Sequence, residues 1–202
     1  MSIAHGEQLR TLEEHGEAPG RSIGWWGMIF FIISEALIFA NLIAAYLYLE
    51  IRQGSWQLPL DLTLPVINTA ILLSSSIPVR LAGAGIAKGN QRQLKWGLIG
   101  TVIMGSIFLG GQAFEYTDLF AKNFTPQLHA FGSAFFTLTG FHGLHVTVGA
   151  LFLLIVWLRA LRGDFTRKKH FAVQAAEMYW HFVDGVWVVV FSTVYLLPLI
   201  RG

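Results

Sequence analysis

Glu177, His181 and Asp184 lie in the segment EMYWHFVDGVW, Glu177–Trp187, within an apolar run that ends near Pro198. Spacings of four and three residues put the three side chains on one face of a helix. Two carboxylates and an imidazole on one face could hold a metal ion, pass protons or close a hydrogen-bond network. If the helix crosses a bilayer, each group is costly at that depth and needs a compensating partner. His142 and His145, three apart in FHGLHVTVG, are candidates for that partnership. With Glu177, His181 and Asp184 they could converge on a metal from neighbouring helices. Two facing imidazoles could also ligate a haem. An interhelical hydrogen-bond network needs neither. There is no Glu-x-x-His pair and no His-Glu-x-x-His, so the spacing leaves all three readings open.

Glu35 is a further ionisable group in an apolar run, with no basic residue near it in sequence. A carboxyl at that depth must be protonated or paired with a group from another helix. Such a group suits a proton relay, a lipid-facing site, or a neutral carboxyl bonded across a helix interface. Glu115 and Asp118, in FEYTDL, read as interfacial residues closing a helix.

The elements that must position these groups follow from composition. Of 202 residues, 54% are hydrophobic and only 13% charged, about half the charged share of soluble domains. Mean hydropathy is +0.55. Sixteen Phe and seven Trp are more than a polar surface can cover. The chain therefore reads as an integral membrane protein. A net charge of +2 gives no reason to expect a nucleic-acid partner, and the absence of cysteine excludes disulfides and thiolate metal sites on this chain. The polar segment Met1–Arg21 carries four Glu and no apolar core, so it does not read as a signal peptide.

A spanning helix needs about 20 mostly apolar residues. Five runs qualify, at about 23–49, 62–79, 96–114, 130–158 and 172–200. They are too long and too uniformly apolar for barrel strands, and lipid obliges each to satisfy its own backbone, hence to be helical. Pro65 and Pro78 flank the second run, where they are best tolerated. The expected fold is an all-α membrane bundle of five helices over residues 23–202, preceded by a polar tail, residues 1–22. Gly97, Thr101 and Gly105, and also Gly143 and Thr147, recur every four residues and mark close helix packing. Trp25, Trp26, Trp56 and Trp96 fall at helix ends, as an interfacial belt requires. The tail and the loops after the second and fourth helices share one side and carry eleven Lys and Arg, against three on the other. This asymmetry predicts a cytoplasmic N-terminus and a C-terminus outside.

GSAFFTLTGFHGLHVTVG, Gly132–Gly149, followed by MYWHFVDGVWVVVF, Met178–Phe191, resembles subunit III of the haem–copper respiratory oxidases. The resemblance is closer to cytochrome c oxidase than to the quinol oxidases. IISEALIFANLIAAYLY, Ile32–Tyr48, is similar to the family helix that carries a membrane-embedded carboxylate, and GQAFEY, Gly111–Tyr116, to the end of the next helix but one. The likeness runs in order from about Trp25 to Tyr195. It implies the short bacterial form, lacking the first two of seven helices.

The resemblance also implies a role. The chain would be a non-redox core subunit of a proton-pumping terminal oxidase that takes electrons from cytochrome c to oxygen. It would be an enzyme only as part of that complex, with no catalytic residue, metal or cofactor of its own. Haems and copper would lie in partner subunits, and phospholipid would bind here. Partners would be subunit I above all, subunit II, and a small subunit IV as a further candidate, in a bacterial plasma membrane. Glu35 matches the family's carbodiimide-reactive carboxylate. Glu35, His145 and Arg159 would contact lipid. His142, His145, His181 and Asp184, with Glu177, would form a structural polar network. Many relatives have a carboxylate where this chain has Gln174, and Glu177 follows one turn later. Two alternatives keep the fold and change the complex, to a quinol oxidase or the partner of a nitric oxide reductase. A different class is a free-standing haem- or metal-binding membrane protein using His142, His145 and His181.

Overall fold

The computed structural model describes residues 22–53, 62–127 and 129–201. Its helices are α1 (Ile23–Gln53), α2 (Thr63–Ser74), α3 (Ser76–Ala87), α4 (Gln91–Ala121), α5 (Ala130–Arg162) and α6 (Phe171–Phe191). After α6 come a π-helical turn, Ser192–Leu196, and a short α7, Leu197–Arg201. Together they make five stretches long and apolar enough to cross a membrane, with α2 and α3 forming one of them. This is the all-α five-span bundle expected from hydropathy. Residues 1–21 of the expected tail, and Trp56, lie outside the described residues.

The helix ends differ from those expected. The second span does not stop at Val79 but runs on to Ala87. Pro78 is the third residue of α3, so it falls in a first turn, where a missing N–H costs little. Its demand is met upstream, where the helix is interrupted at Ser75 between α2 and α3. The third span covers residues 91–121 rather than 96–114, and α5 reaches Arg162 rather than Leu158. Hydropathy marks the stretch that tolerates hydrocarbon, whereas backbone hydrogen bonding continues through the polar turns at each end. Caps set the true ends. The Asn90 side chain accepts from Gln93 N at 3.1 Å, and His129 Nδ1 accepts from Gly132 N at 2.9 Å. Gly163, at φ +81°, closes α5 in the left-handed conformation that glycine adopts without strain.

α4 is central, packing on α2, α3 and α5, while α6 packs on α5, α1 and α3. α1 packs chiefly on α5 and α6 and leaves Phe30, Leu37 and much of its apolar surface exposed. The small-residue stripe on α4 faces its neighbours. A Cβ at Gly97 would overlap the Pro78 carbonyl and lie 2.8 Å from Ala82 Cβ, and one at Gly105 would lie 2.5 Å from the Trp180 ring. Trp180 is fully buried, and its indole N–H donates to Ser75 Oγ at 2.8 Å. Ser75 in turn donates to Leu72 O at 2.5 Å. The interruption before Pro78 is thus tied to the core of α6. Ser75→Ala strands a buried indole N–H, and is expected to cost about 1–3 kcal/mol in detergent unfolding. An unchanged midpoint would show that the N–H finds another acceptor.

Contacts gather the basic loops at one end. Gln91 Nε2 donates to Phe165 O at 2.8 Å, and Arg167 Nε donates to Ala87 O at 3.2 Å. A Cβ at Gly24, in the first turn of α1, would lie 2.8 Å from the Phe171 ring, which places the start of α1 at the same end.

Candidate functional site

Glu35, His142, His145, Glu177, His181 and Asp184 divide into two separate constellations and one imidazole apart from both. The first joins α1 to α5. His145 Nδ1 lies 2.8 Å from the Phe141 carbonyl, and its Nε2 lies 3.0 Å from Glu35 Oε2. A carbonyl only accepts, so Nδ1 carries a proton. Nε2 is then a lone pair in the neutral ring, and the hydrogen bond to Glu35 needs one more proton. That proton sits either on the Glu35 carboxyl or on an imidazolium facing a carboxylate. The pair therefore holds one shared proton and no net charge, which is the inexpensive arrangement in lipid. Phe39 and Phe141 pack on the imidazole at ring-centre distances of 4.9 and 4.6 Å.

The second constellation joins α3 to α6. Ser76 Oγ donates to Asp184 Oδ2 and also lies 3.1 Å from His181 Nδ1. His181 Nε2 lies 3.8 Å from Glu177 Oε1. Asp184 is buried, whereas Glu177 and His181 are partly open. The helical face expected from the spacing is present, and what completes it is a serine from another helix.

His142 belongs to neither set. It is fully buried, with ring nitrogens that have no hydrogen-bond partner among the described residues. Trp187 lies 4.7 Å away at an interplanar angle of 31°, and Phe108 meets it edge-on at 5.9 Å. Three residues from His145 on the same helix, it sits in the aromatic core, where Phe39 of α1 also meets its ring edge-on at 6.3 Å. Among the described residues, no three His, Asp or Glu side chains converge on a common point. Arg159 stands 14 residues beyond His145, about 21 Å along α5. It donates to Asp164 Oδ2 at 3.1 Å and lies 5.1 Å over the Phe165 ring. Arg159 and His145 therefore cannot meet one headgroup.

A family model described as cytochrome c oxidase subunit III matches residues 11–198. The chain belongs to the cytochrome c oxidase subunit III family. It is 40% identical over 176 residues to cytochrome c oxidase subunit 3 of Thermostichus vulcanus, an alignment covering 85% of this chain and 86% of the relative. With that of Synechocystis sp. it shares 42% over 191 residues, covering 92% and 80%. With that of Drosophila melanogaster it shares 39% over 181 residues, covering 84% and 68%. The resemblance carried by Gly132–Gly149 and Met178–Phe191 therefore extends over nearly the whole chain. Subunit III is part of a respiratory oxidoreductase complex, and this member spans the membrane.

Several polar residues of this subunit III were not legible as partners. Ser75 and Ser76 were absorbed into an apolar run, although three consecutive serines two residues before Pro78 were a signal. Trp187 Nε1 donates to Thr69 Oγ1 at 2.9 Å. Gln112 Nε2 donates to Thr139 O at 2.9 Å, and Tyr116 and Thr139 hydroxyls lie 2.8 Å apart. Glu115 is buried within the bundle, accepting from Tyr195 O–H at 2.6 Å. The π-helical turn brings this about. It precedes Pro198, which cannot donate to Val194 O, and its wider winding lets adjacent Val194 and Tyr195 both face the core. Asp118 is partly exposed and pairs with Lys122 at 2.7 Å.

Proposed function

We propose that this subunit III is the non-redox core subunit of a proton-pumping terminal oxidase that carries electrons from cytochrome c to oxygen. It packs against catalytic subunit I, stabilises it and supports its proton uptake, with the haems and copper held by partner subunits. Subunit II and a small subunit IV complete the assembly. The observation that carries this reading is the family match over residues 11–198. The membrane is the bacterial plasma membrane, with the basic end of the bundle, and so the N-terminus, in the cytoplasm.

Lipid is held in two places. Arg159, at the basic end with guanidinium N–H groups to spare, takes a phosphate. A groove of about 420 Å³ between α1 and α6, lined by Ala36, Phe39, Ala40, Phe182 and Gly185 among others, takes an acyl chain. Glu35 and His145 stabilise the α1–α5 junction beside it and contact the hydrocarbon end of the lipid.

The test is purification in mild detergent through a tag on this chain, followed by a visible spectrum and a count of the co-purifying subunits. Haem-bearing partners are expected, and the chain stripped of them is expected to be colourless. A Soret band on the isolated chain would overturn the non-redox reading. Recovery with quinol-oxidising partners instead of a cytochrome c-binding subunit II would overturn the electron donor.

A further inference from the structure

Glu177 is the member of the α6 face that the family resemblance leaves unexplained, and it has a built environment. A cleft of about 410 Å³ at the start of α1 and α6 is lined by Ser22, Trp25, Gln174, Glu177 and Met178. Across from it, α3 presents Gly83, where any Cβ would overlap the Glu177 carboxylate. The carboxylate occupies the space that a side chain at residue 83 would take. From Glu177 the polar atoms continue inward: Oε1 to His181 Nε2 at 3.8 Å, His181 Nδ1 to Ser76 Oγ at 3.1 Å, and Ser76 Oγ to Asp184 Oδ2. His181 Nε2 and Asp184 Oδ1 have no hydrogen-bond partner among the described residues.

We propose that Glu177, His181, Ser76 and Asp184 form a proton-conducting file, joining the cleft at the basic end of the bundle to a carboxyl about 10 Å further along α6. Each member is suited to its step. Glu177 faces the cleft and exchanges its proton with water there. A rotation of its carboxyl closes the 3.8 Å gap and passes the proton to His181 Nε2, making an imidazolium. The imidazolium releases its Nδ1 proton to Ser76 Oγ, whose own hydroxyl proton moves to Asp184 Oδ2. One proton enters and one is stored. His181 returns to neutral with its proton on Nε2, Ser76 regains a hydroxyl, and Glu177 is left as a carboxylate for refilling. A hydroxyl can accept and donate at once, so Ser76 supports both directions.

Other ionisable groups on the helices packed against α6 are engaged elsewhere or exposed. Glu35 on α1 and His145 on α5 share their own proton, His142 on α5 lies in its aromatic cage, and Arg80 on α3 is exposed. The inference is independent of how this subunit acts on subunit I.

The experiment uses the intact oxidase complex and infrared difference spectroscopy. The carboxylic acid C=O band that Asp184→Asn removes is followed after acidification and after transfer to D2O. In the unaltered protein the band is expected to form on acidification and to shift in D2O within the mixing time. In Ser76→Ala and His181→Phe the exchange is expected to slow by about tenfold or more, the rate consequence of one lost hydrogen-bonded link. Ser76→Thr keeps the hydroxyl and is expected to restore the fast exchange, which a merely structural role for Ser76 would not require. Unchanged exchange in both Ser76→Ala and His181→Phe would overturn the proposal, as would the failure of Asp184 to give any acid band at low pH. Should Ser76→Ala not assemble, Glu177→Gln tests the same file from its mouth, with slowed exchange supporting it and unchanged exchange overturning it.

Discussion

Glu35→Ala is expected to destabilise the bundle by about 2–4 kcal/mol, while Glu35→Gln costs less than about 1 kcal/mol. The difference follows from proton counting. His145 spends its Nδ1–H on Phe141 O, which leaves Nε2 to be satisfied by Glu35 alone. Alanine strands that nitrogen among Phe39, Phe141 and Tyr179, whose rings pack on the imidazole. Glutamine supplies an amide N–H in the same place and keeps the pair neutral. His145→Phe strands the carboxyl instead and should cost a similar amount. The double variant Glu35→Ala with His145→Phe leaves neither group unpaired, and should recover about 1–3 kcal/mol relative to the sum of the single losses. The cycle is read from unfolding midpoints in mild detergent, followed through the buried tryptophans. Additive losses would show that the two side chains do not share a proton-mediated bond. Carbodiimide labelling supplies an independent reading, because the reagent attacks the protonated carboxyl. In His145→Phe the stranded Glu35 has no base to yield its proton to, so it should label faster near neutral pH than in the unaltered protein. Equal labelling would place the proton on Glu35 irrespective of His145, and slower labelling would overturn the shared-proton reading.

Gly97→Val is expected to cost about 3 kcal/mol or more and to release the second span from the bundle. At this position the backbones of α3 and α4 touch. An added Cβ would meet the Pro78 carbonyl, Ala82 Cβ at 2.8 Å and Ala82 N at 2.9 Å. A flexible side chain could swing aside, but two of these three atoms are backbone, so the helices themselves must separate. Parting them forfeits dispersion contacts along the whole interface, which supply most of the association energy in lipid. Gly110→Val on the same helix meets nothing within 4 Å and should stay within about 0.5 kcal/mol of the parent. The comparison controls for the entropy and helix propensity of replacing glycine. Equal losses at both positions would assign the effect to propensity rather than to packing.

The sequence by itself determined the number and type of the spans and the family. Hydrocarbon imposes a length and a composition on every crossing segment, and that demand is written locally in each run. It also determined that Glu177, His181 and Asp184 share a face, since helical periodicity is a property of one segment. The motifs Gly132–Gly149 and Met178–Phe191 carried the family for the same reason.

Tertiary structure decided the partnerships. That Glu35 meets His145 while His181 and Asp184 meet Ser76 depends on pairs more than 100 residues apart. His142 and His145 are three residues apart, yet one is enclosed by aromatic rings and the other pairs with Glu35 on α1. No spacing rule distinguishes them, because the choice lies in which helix stands opposite. Glu115 is buried with Tyr195 as its donor, a partner that a π-helical turn on a distant segment supplies and that FEYTDL does not announce. The second span continued past Pro78 because a serine interruption upstream absorbed the lost hydrogen bond. Hydropathy is a sum over one segment's contact with solvent. Polar pairing in a bundle is set by how closely two backbones approach, which the small residues at Gly97 and Gly105 permit and the assembled helices alone determine.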